Sequence, residues 1–104
     1  MIVEERIYRI RPRLFQTYLR LVREEGLAIQ QPVLGNLIGY FTSDIGPLCH
    51  VVHLWGYESL DDRARRRAEL AARPDWQEFT KKLSRTIETM ENRILLPTDF
   101  SPLR

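Results

Sequence analysis

The stretch Val51–Tyr57 limits the possible folds more than any other part of the chain. Its seven residues, Val-Val-His-Leu-Trp-Gly-Tyr, include five large apolar or aromatic side chains and one imidazole. β-Branched and aromatic residues without a proline are typical of a strand. Because side chains alternate along a strand, Val52 and Leu54 face one side and the odd-numbered residues face the other. Both faces are apolar, which predicts a central strand.

The chain before this stretch has the pattern strand, helix, strand. β-Forming residues predict a first strand, and Pro12 is suited to the first turn of a helix. Gly26 is predicted to end that helix. The next segment fits either a short helix kinked by Pro32 or a loop. In order, the ranges are strand Ile2–Ile10, helix Pro12–Gly26, ambiguous segment Leu27–Leu34 and strand Asn36–Ser43.

The same pattern repeats in the second half. Ser59 is a candidate N-cap for a helix that ends near Ala72, with an apolar stripe formed by Leu60, Ala64, Ala68 and Ala71. A further helix follows Pro74, with Trp76, Phe79, Leu83 and Ile87 at a helical period. The remaining predicted strands are Cys49–Tyr57, which follows a turn at residues 44–47, and Met90–Leu96.

The order βαββαβ predicts a ferredoxin-like α+β fold with an antiparallel sheet. Right-handed crossovers place both helical segments on one face of that sheet. The other face is also apolar, so we expect a second copy to cover it in a symmetric homodimer. The face expected to meet the second copy consists of Val51, His53, Trp55 and Tyr57. The domain is predicted to span residues 1–97, followed by a tail at 98–104.

Composition places the chain among ordinary globular domains. It has 104 residues, 43% apolar and 29% charged, with a formal net charge of +2. This length corresponds to one domain. The single cysteine, Cys49, fits a reducing compartment, and no apolar run is long enough for a membrane helix. With no secretory signal pattern at the N-terminus, a cytoplasmic protein without a membrane span is expected.

The central strand and its surroundings resemble the NIPSNAP family. The similarity extends from Glu5 to Asn92, and its most specific part is the His-Leu-Trp-x-Tyr core with arginines downstream. The residues that carry it are Gly39–Ser43, Ile45–Leu48, Val51–Leu60, Arg63, Arg67 and Trp76. The resemblance implies a dimeric α/β barrel built from two ferredoxin-like subunits.

The resemblance does not supply a catalytic residue. Animal NIPSNAP proteins are associated with mitochondria, but this chain lacks an Arg-rich, acid-poor leader, so that location is not expected here. The wider superfamily of dimeric α/β barrels includes cofactor-free monooxygenases and haem-degrading enzymes. None of their motifs matches this sequence.

His53 is the best candidate for a functional residue. It is either a core histidine bonded to a polar group of a neighbouring strand, such as Glu5 or Arg6, or an acid/base group in a cavity between two sheets. Trp55 and Tyr57 are interpreted as core or interface residues first and as cavity lining second. The predicted ligand-binding residues are therefore His53, Trp55, Tyr57 and Arg6.

Charged strand residues raise a related question. Glu4, Glu5 and Arg6 are costly on a covered strand unless they are paired or face a wet cavity. An ion pair at the dimer interface is one explanation, and a polar ligand site is the other.

No metal or cofactor site is predicted. His50 and His53 point to opposite faces of a strand, and Cys49 lies about 13 Å from His53 along it. Compact metal sites need closer ligands. The chain also lacks the GxSxG, GxGxxG, P-loop and HExxH patterns, which disfavours the corresponding chemistries.

The basic run Arg63–Arg67 is predicted to be a solvated helix face. Asp61 and Asp62 precede it at helical spacing and partly neutralise it, and no aromatic residue is interleaved for base stacking. Nucleic-acid binding is therefore not expected. Arg63, close to the strand end, could instead turn towards Glu58 or the sheet.

The leading hypothesis is a cytoplasmic homodimer of the NIPSNAP type that binds a small, partly apolar molecule in the cavity between its two sheets. The second hypothesis is a cofactor-independent monooxygenase or isomerase with His53 as general acid/base. The third is an interaction or scaffold protein without a pocket.

Overall fold

A computed structural model describes all 104 residues and has the predicted βαββαβ order. The four strands form one antiparallel sheet in the order β2-β3-β1-β4. The elements are β1 (Ile2–Ile10), α1 (Phe15–Leu21), α2 (Leu27–Leu34), β2 (Asn36–Thr42), β3 (His50–Tyr57), α3 (Leu60–Ala71), α4 (Pro74–Ser84) and β4 (Ile87–Leu95). The ferredoxin-like α+β prediction is confirmed.

The face of β3 that we expected to meet a second copy is covered by the chain's own helices. Trp55 lies opposite Glu4 of β1, and His53 lies opposite Arg6. Val51, His53, Trp55 and Tyr57 are all at most 3% exposed within the single chain. The prediction was wrong about which face is covered because both faces are apolar. Crossover handedness places the helices on one face but does not say which set of alternate residues that face carries.

No helix covers the opposite face of the sheet, although Val3 at one end of it is buried. It carries half-buried Ile7, Val52 and Leu54 at its centre and Phe41, 54% exposed, on β2. The edge strand β4 is exposed at every residue after Ile87. The sheet therefore has an uncovered apolar face, as predicted, but it is the even-numbered side of β3.

The helical segment after β1 continues through Gly26 instead of ending there. A 3₁₀ turn at Pro12–Leu14 leads into α1, and a π-helical turn at Val22–Gly26 joins α1 to α2. Gly26 has an ordinary helical φ of −66°. A β-carbon on it would lie 2.6 Å from the Phe79 ring, so glycine is required for packing against α4. The helix ends at Gly35, whose φ of 90° suits glycine.

The face that α3 turns to the sheet carries arginines rather than the predicted alanine stripe. Leu60, Ala64, Ala68 and Ala71 are all exposed. Arg63, Arg66 and Arg67 are half-buried, and Leu70 is the one buried residue of the helix. The prediction of a solvated basic face was therefore wrong for these three arginines. Arg63 and Arg66 reach acceptors beneath the helix, Glu4 and the Val33 carbonyl, which offset the cost of burying their charges.

Two local predictions near the helix ends have different outcomes. The Ser59 hydroxyl accepts from the Asp62 amide, which confirms the N-cap. Ile87, predicted to extend α4, instead begins β4 opposite Ile10. Fully buried Thr86 separates the two elements and donates to the Leu83 carbonyl in the last turn of α4. No helix in the chain has the length and apolar character needed to cross a membrane.

Candidate functional site

A cavity of about 230 Å³ lies within the single chain, between the covered face of the sheet and the helices. Two of its lining residues, Ser84 and Met90, are exposed, so it reaches the surface between α4 and β4. The lining combines aromatic and aliphatic side chains with hydroxyl, guanidinium and imidazole groups and contains no Asp or Glu. It consists of Arg6, Tyr8, Tyr18, Val22, Gly26, Gln30, Tyr40, His53, Arg67, Trp76, Phe79, Thr80, Leu83, Ser84, Ile87 and Met90.

His53 is held rigidly in the wall of this cavity. The Trp55 indole N–H donates to His53 Nδ1 over 2.8 Å. The Tyr40 ring stacks on the imidazole with centroids 4.5 Å apart, and the Tyr8 ring contacts it edge-on at 4.9 Å. Because Nδ1 is an acceptor, the neutral ring carries its proton on Nε2. That Nε2 is buried and has no hydrogen-bond partner.

The environment of His53 favours the neutral imidazole. Burial, together with the positive charge of Arg6, lowers the pKa of His53 to about 3. The sequence-based expectation of a hydrogen bond to Glu5 or Arg6 was wrong, since Trp55 supplies the partner. At neutral pH the ring is a hydrogen-bond donor through Nε2, and it has no free acceptor nitrogen.

The pKa of His53 predicts an acid-sensitive fold. Below pH 6.5 the unfolded chain protonates this imidazole while the folded chain does not, so stability is full above pH 6.5 and falls with pH. Between pH 6.5 and 4.5 we expect His53 to reduce the free energy of unfolding by up to about 1.4 kcal/mol per pH unit. Urea denaturation at several pH values measures this slope.

Two histidine variants show whether His53 causes this dependence of the free energy of unfolding on pH. His53→Gln should remove the His53 part of the pH dependence. His50→Gln changes an imidazole on the opposite face of β3 and should leave the wild-type slope in place. Equal slopes for the wild type and His53→Gln would show that His53 does not stay neutral in the folded state.

Glu4 organises the charged groups beside the cavity. Its Oε2 accepts from Arg6, Arg63 and Asn92 at 2.9, 2.7 and 2.7 Å, and its side chain is fully buried. Burial alone would raise the pKa of Glu4, but hydrogen bonds from Arg63 and Asn92 and the charge of Arg6 lower it to about 2. The sequence left two explanations for this carboxylate, an ion pair at the dimer interface and a polar ligand site. Glu4 does form ion pairs, but its partners Arg6 and Arg63 belong to the same chain.

Three tyrosine hydroxyls add polar groups to the lining. Arg6 Nε donates to the Tyr8 hydroxyl over 2.8 Å. The hydroxyls of Tyr18 and Tyr40 form a short hydrogen bond with each other. Burial raises the pKa of both Tyr18 and Tyr40. At neutral pH the hydroxyls of Tyr18 and Tyr40 are therefore protonated.

Arg67 is the one arginine of the lining without a carboxylate partner. No Asp or Glu oxygen lies within 4 Å of its guanidinium, whereas Arg6 is paired with Glu4. One guanidinium nitrogen of Arg67 is buried and makes no hydrogen bond. The buried Tyr57 hydroxyl lies close enough for the Arg67 guanidinium to oppose the rise that burial causes in the pKa of Tyr57, so it is a neutral acceptor beside this arginine. Arg67 therefore leaves an uncompensated positive charge at the cavity.

The four residues predicted to bind a ligand are divided by the structure. Arg6 and His53 line the cavity, but Trp55 lies behind His53, and Tyr57 lines a separate surface depression. Sequence reasoning missed Tyr18, Tyr40 and Arg67. The helical period of Tyr18 and the strand position of Tyr40 indicated core residues, and no local pattern brings them together. His50, whose Nδ1 lies 3.0 Å from the Leu48 carbonyl, is outside the site.

A family model, a solved structure and a sequence relative all connect this chain to the same protein family. The NIPSNAP family model matches residues 3–102. A crystal structure of a NIPSNAP family protein from Agrobacterium tumefaciens is 70% identical, with a TM-score of 0.98, and the match covers 99% of this chain and 98% of that one. Protein NipSnap homolog 2 of Homo sapiens is 35% identical over 104 residues, or 99% of this chain and 35% of that protein.

Solved structures with low sequence identity to this chain share its fold, and the similarity shows nothing beyond the fold. An antibiotic biosynthesis monooxygenase of known structure has a TM-score of 0.65 at 14% identity, covering 94% of this chain and 99% of that one. The chain spans about a quarter to a third of the length of its relatives from Dictyostelium discoideum, Drosophila melanogaster and human. With the family model matched over nearly every residue and a 70% identical family structure, the chain belongs to the NIPSNAP family.

Proposed function

We propose that this protein is a homodimer in which each subunit binds one small, partly apolar molecule in the cavity beside His53 and Arg6. The observation that carries the proposal is the cavity itself: about 230 Å³, lined mostly by aromatic and aliphatic side chains, with a smaller number of polar groups among them. Ligand pockets typically have this mixed lining. The site lies within one subunit, not between two sheets, because the chain's own helices cover His53.

The uncovered face of the sheet supports the homodimer. Val52, Leu54 and Ile7 form an apolar centre on that face, and Phe41 extends it to β2. Soluble monomers rarely expose a contiguous apolar patch of this kind. A second copy meeting the same face would bury it symmetrically. The single cysteine remains consistent with the further proposal of a cytoplasmic location.

The alternative function, a cofactor-independent monooxygenase or isomerase with His53 as general acid/base, is less well supported. A general base needs a free acceptor nitrogen, but Nδ1 accepts from Trp55 and Nε2 carries the proton. A general acid of the imidazolium type needs a pKa near the working pH, whereas that of His53 is lowered to about 3. The likeness to an antibiotic biosynthesis monooxygenase is one of fold. The scaffold alternative leaves the cavity without a role.

Indole tests the proposed function because it is small, aromatic and neutral. A 150 Å³ cavity holds benzene, so a cavity of about 230 Å³ corresponds to roughly nine non-hydrogen atoms, the size of indole. We expect saturable binding with one indole per subunit in isothermal titration calorimetry. The apolar lining supplies the driving force.

A cavity-filling variant and its control locate the binding. Thr80→Phe places a ring in the cavity from α4 and should weaken indole binding at least about tenfold, equivalent to about 1.4 kcal/mol. Lys81→Phe places the same ring on the exposed side of α4 and should leave affinity within about twofold. Absence of indole binding by the wild type, or equal loss in both variants, would contradict the proposal.

A further inference from the structure

The polar groups of the cavity are biased towards hydrogen-bond donors and positive charge. Its sixteen lining residues include two arginines and one histidine but no carboxylate. Glu4 lies outside the lining and is already engaged by Arg6, Arg63 and Asn92. No carboxylate of the chain lies within 4 Å of the Arg67 guanidinium, whereas Arg6 is paired with Glu4.

Two buried donor atoms of residues that line the cavity make no hydrogen bond of ordinary geometry. His53 is 1% exposed, and its protonated Nε2 makes no hydrogen bond. One guanidinium nitrogen of Arg67 is likewise buried and makes no hydrogen bond. A buried donor without a partner destabilises the folded protein, and more so when the donor is charged. Water can provide acceptors for both groups, but it cannot provide a negative charge for Arg67.

The part of the lining that α4 and the π-helical turn supply carries no charged group and is mostly apolar, with Thr80 and Ser84 as its hydroxyl residues on α4. Trp76, Phe79, Leu83 and Val22 supply aromatic and aliphatic surface from α4 and the π-helical turn. A molecule that contacts both this part and the charged part of the lining therefore needs an acidic group at one end and an apolar body at the other. Arginine recognises planar carboxylates well because its donors form a fixed fork.

We propose that the ligand is a small organic anion whose acidic group accepts hydrogen bonds from Arg67 and from His53 Nε2, while its apolar body packs against Trp76 and the side chains around it. This inference rests on the proposed function and narrows it to a ligand class, carboxylates or enolates of roughly nine non-hydrogen atoms. Neutral molecules of the same shape bind in the same place but more weakly.

Benzoate and benzamide provide a matched test, because they have the same shape and number of non-hydrogen atoms and differ in charge. At pH 7 we expect the wild type to bind benzoate at least about tenfold more tightly than benzamide. Calorimetry or titration of ¹⁵N-labelled protein measures both affinities. Since the Trp55 indole N–H donates to His53, its resonance should shift when benzoate binds.

Two arginine variants on α3 test the role assigned to Arg67. Arg67→Met keeps an apolar stem but removes the charge, and should weaken benzoate at least about tenfold while changing benzamide by less than about twofold. Arg65→Met is the control, since Arg65 is 71% exposed and should leave both affinities unchanged.

The outcomes separate this inference from the proposed function. Benzamide binding as tightly as benzoate would overturn the anionic ligand but leave the cavity site standing. Benzoate preference that survives in Arg67→Met would overturn the role of Arg67. Failure of benzoate, benzamide and indole alike would overturn the proposed function as well. Should Arg67→Met fail to fold, the wild-type ratio of the two affinities still decides the ligand class.

Discussion

Glu4→Gln is expected to lower the free energy of unfolding by about 3 kcal/mol, because it leaves buried cations without their counter-charge. Glu4 is fully buried, and its partners Arg6 and Arg63 have side chains only 12% and 24% exposed. Glutamine preserves the shape of the side chain, so the loss reports the charge and its hydrogen bonds rather than a cavity. Urea denaturation at pH 7 measures it.

Glu78→Gln is the matched control for this prediction. Glu78 lies on the exposed side of α4, away from the uncovered face, and pairs with Lys81; the two side chains are 73% and 72% exposed. Exposed pairs contribute at most about 1 kcal/mol, so a small loss is expected. Similar losses for the two variants would show that Glu4 is not the organising charge beneath α3.

Leu54→Lys is expected to dissociate the proposed homodimer. Leu54 lies at the centre of the uncovered face, opposite Glu5 of β1, where dimerisation would bury a lysine ammonium in a largely apolar interface. We expect the dissociation constant to rise at least about 100-fold, equivalent to about 2.7 kcal/mol. Sedimentation velocity across a range of protein concentrations measures the change.

Leu60→Lys is the control for the dimer. Leu60 is 59% exposed at the start of α3, on the helical layer, away from the uncovered face. It makes the same chemical change and should leave the association unchanged. A wild type that sediments as a monomer at micromolar concentration, or dissociation of both variants alike, would contradict a dimer through the uncovered face.

The order of elements followed from the sequence because it depends on local patterns. β-Forming residues without an internal proline located β1 and β3, and the Ser59 cap located the start of α3. Connection handedness then left one sheet topology. The predicted helix end at Gly26 was wrong because it depended on a local rule. Glycine commonly ends a helix, but Gly26 instead makes room for the Phe79 ring from α4, which is distant in the sequence.

The site was less predictable because its residues come from separate elements and break the usual polarity pattern. His53 and Arg6 were found because charged and ionisable groups on a covered strand require an explanation. Arg67 was missed because an arginine-rich helix face normally points to solvent. The odd-numbered face of β3 was assigned to a second copy because alternation identifies two faces without indicating which one the helices cover.

The claim that each subunit binds its ligand between sheet and helices is tested most directly by intermolecular nuclear Overhauser effects from indole bound to the labelled wild-type protein. We expect contacts from indole protons to Val22, Trp76 and Leu83, which line the cavity. Contacts to Phe41 and Val52 instead would place the ligand on the uncovered face between two sheets and would contradict the account.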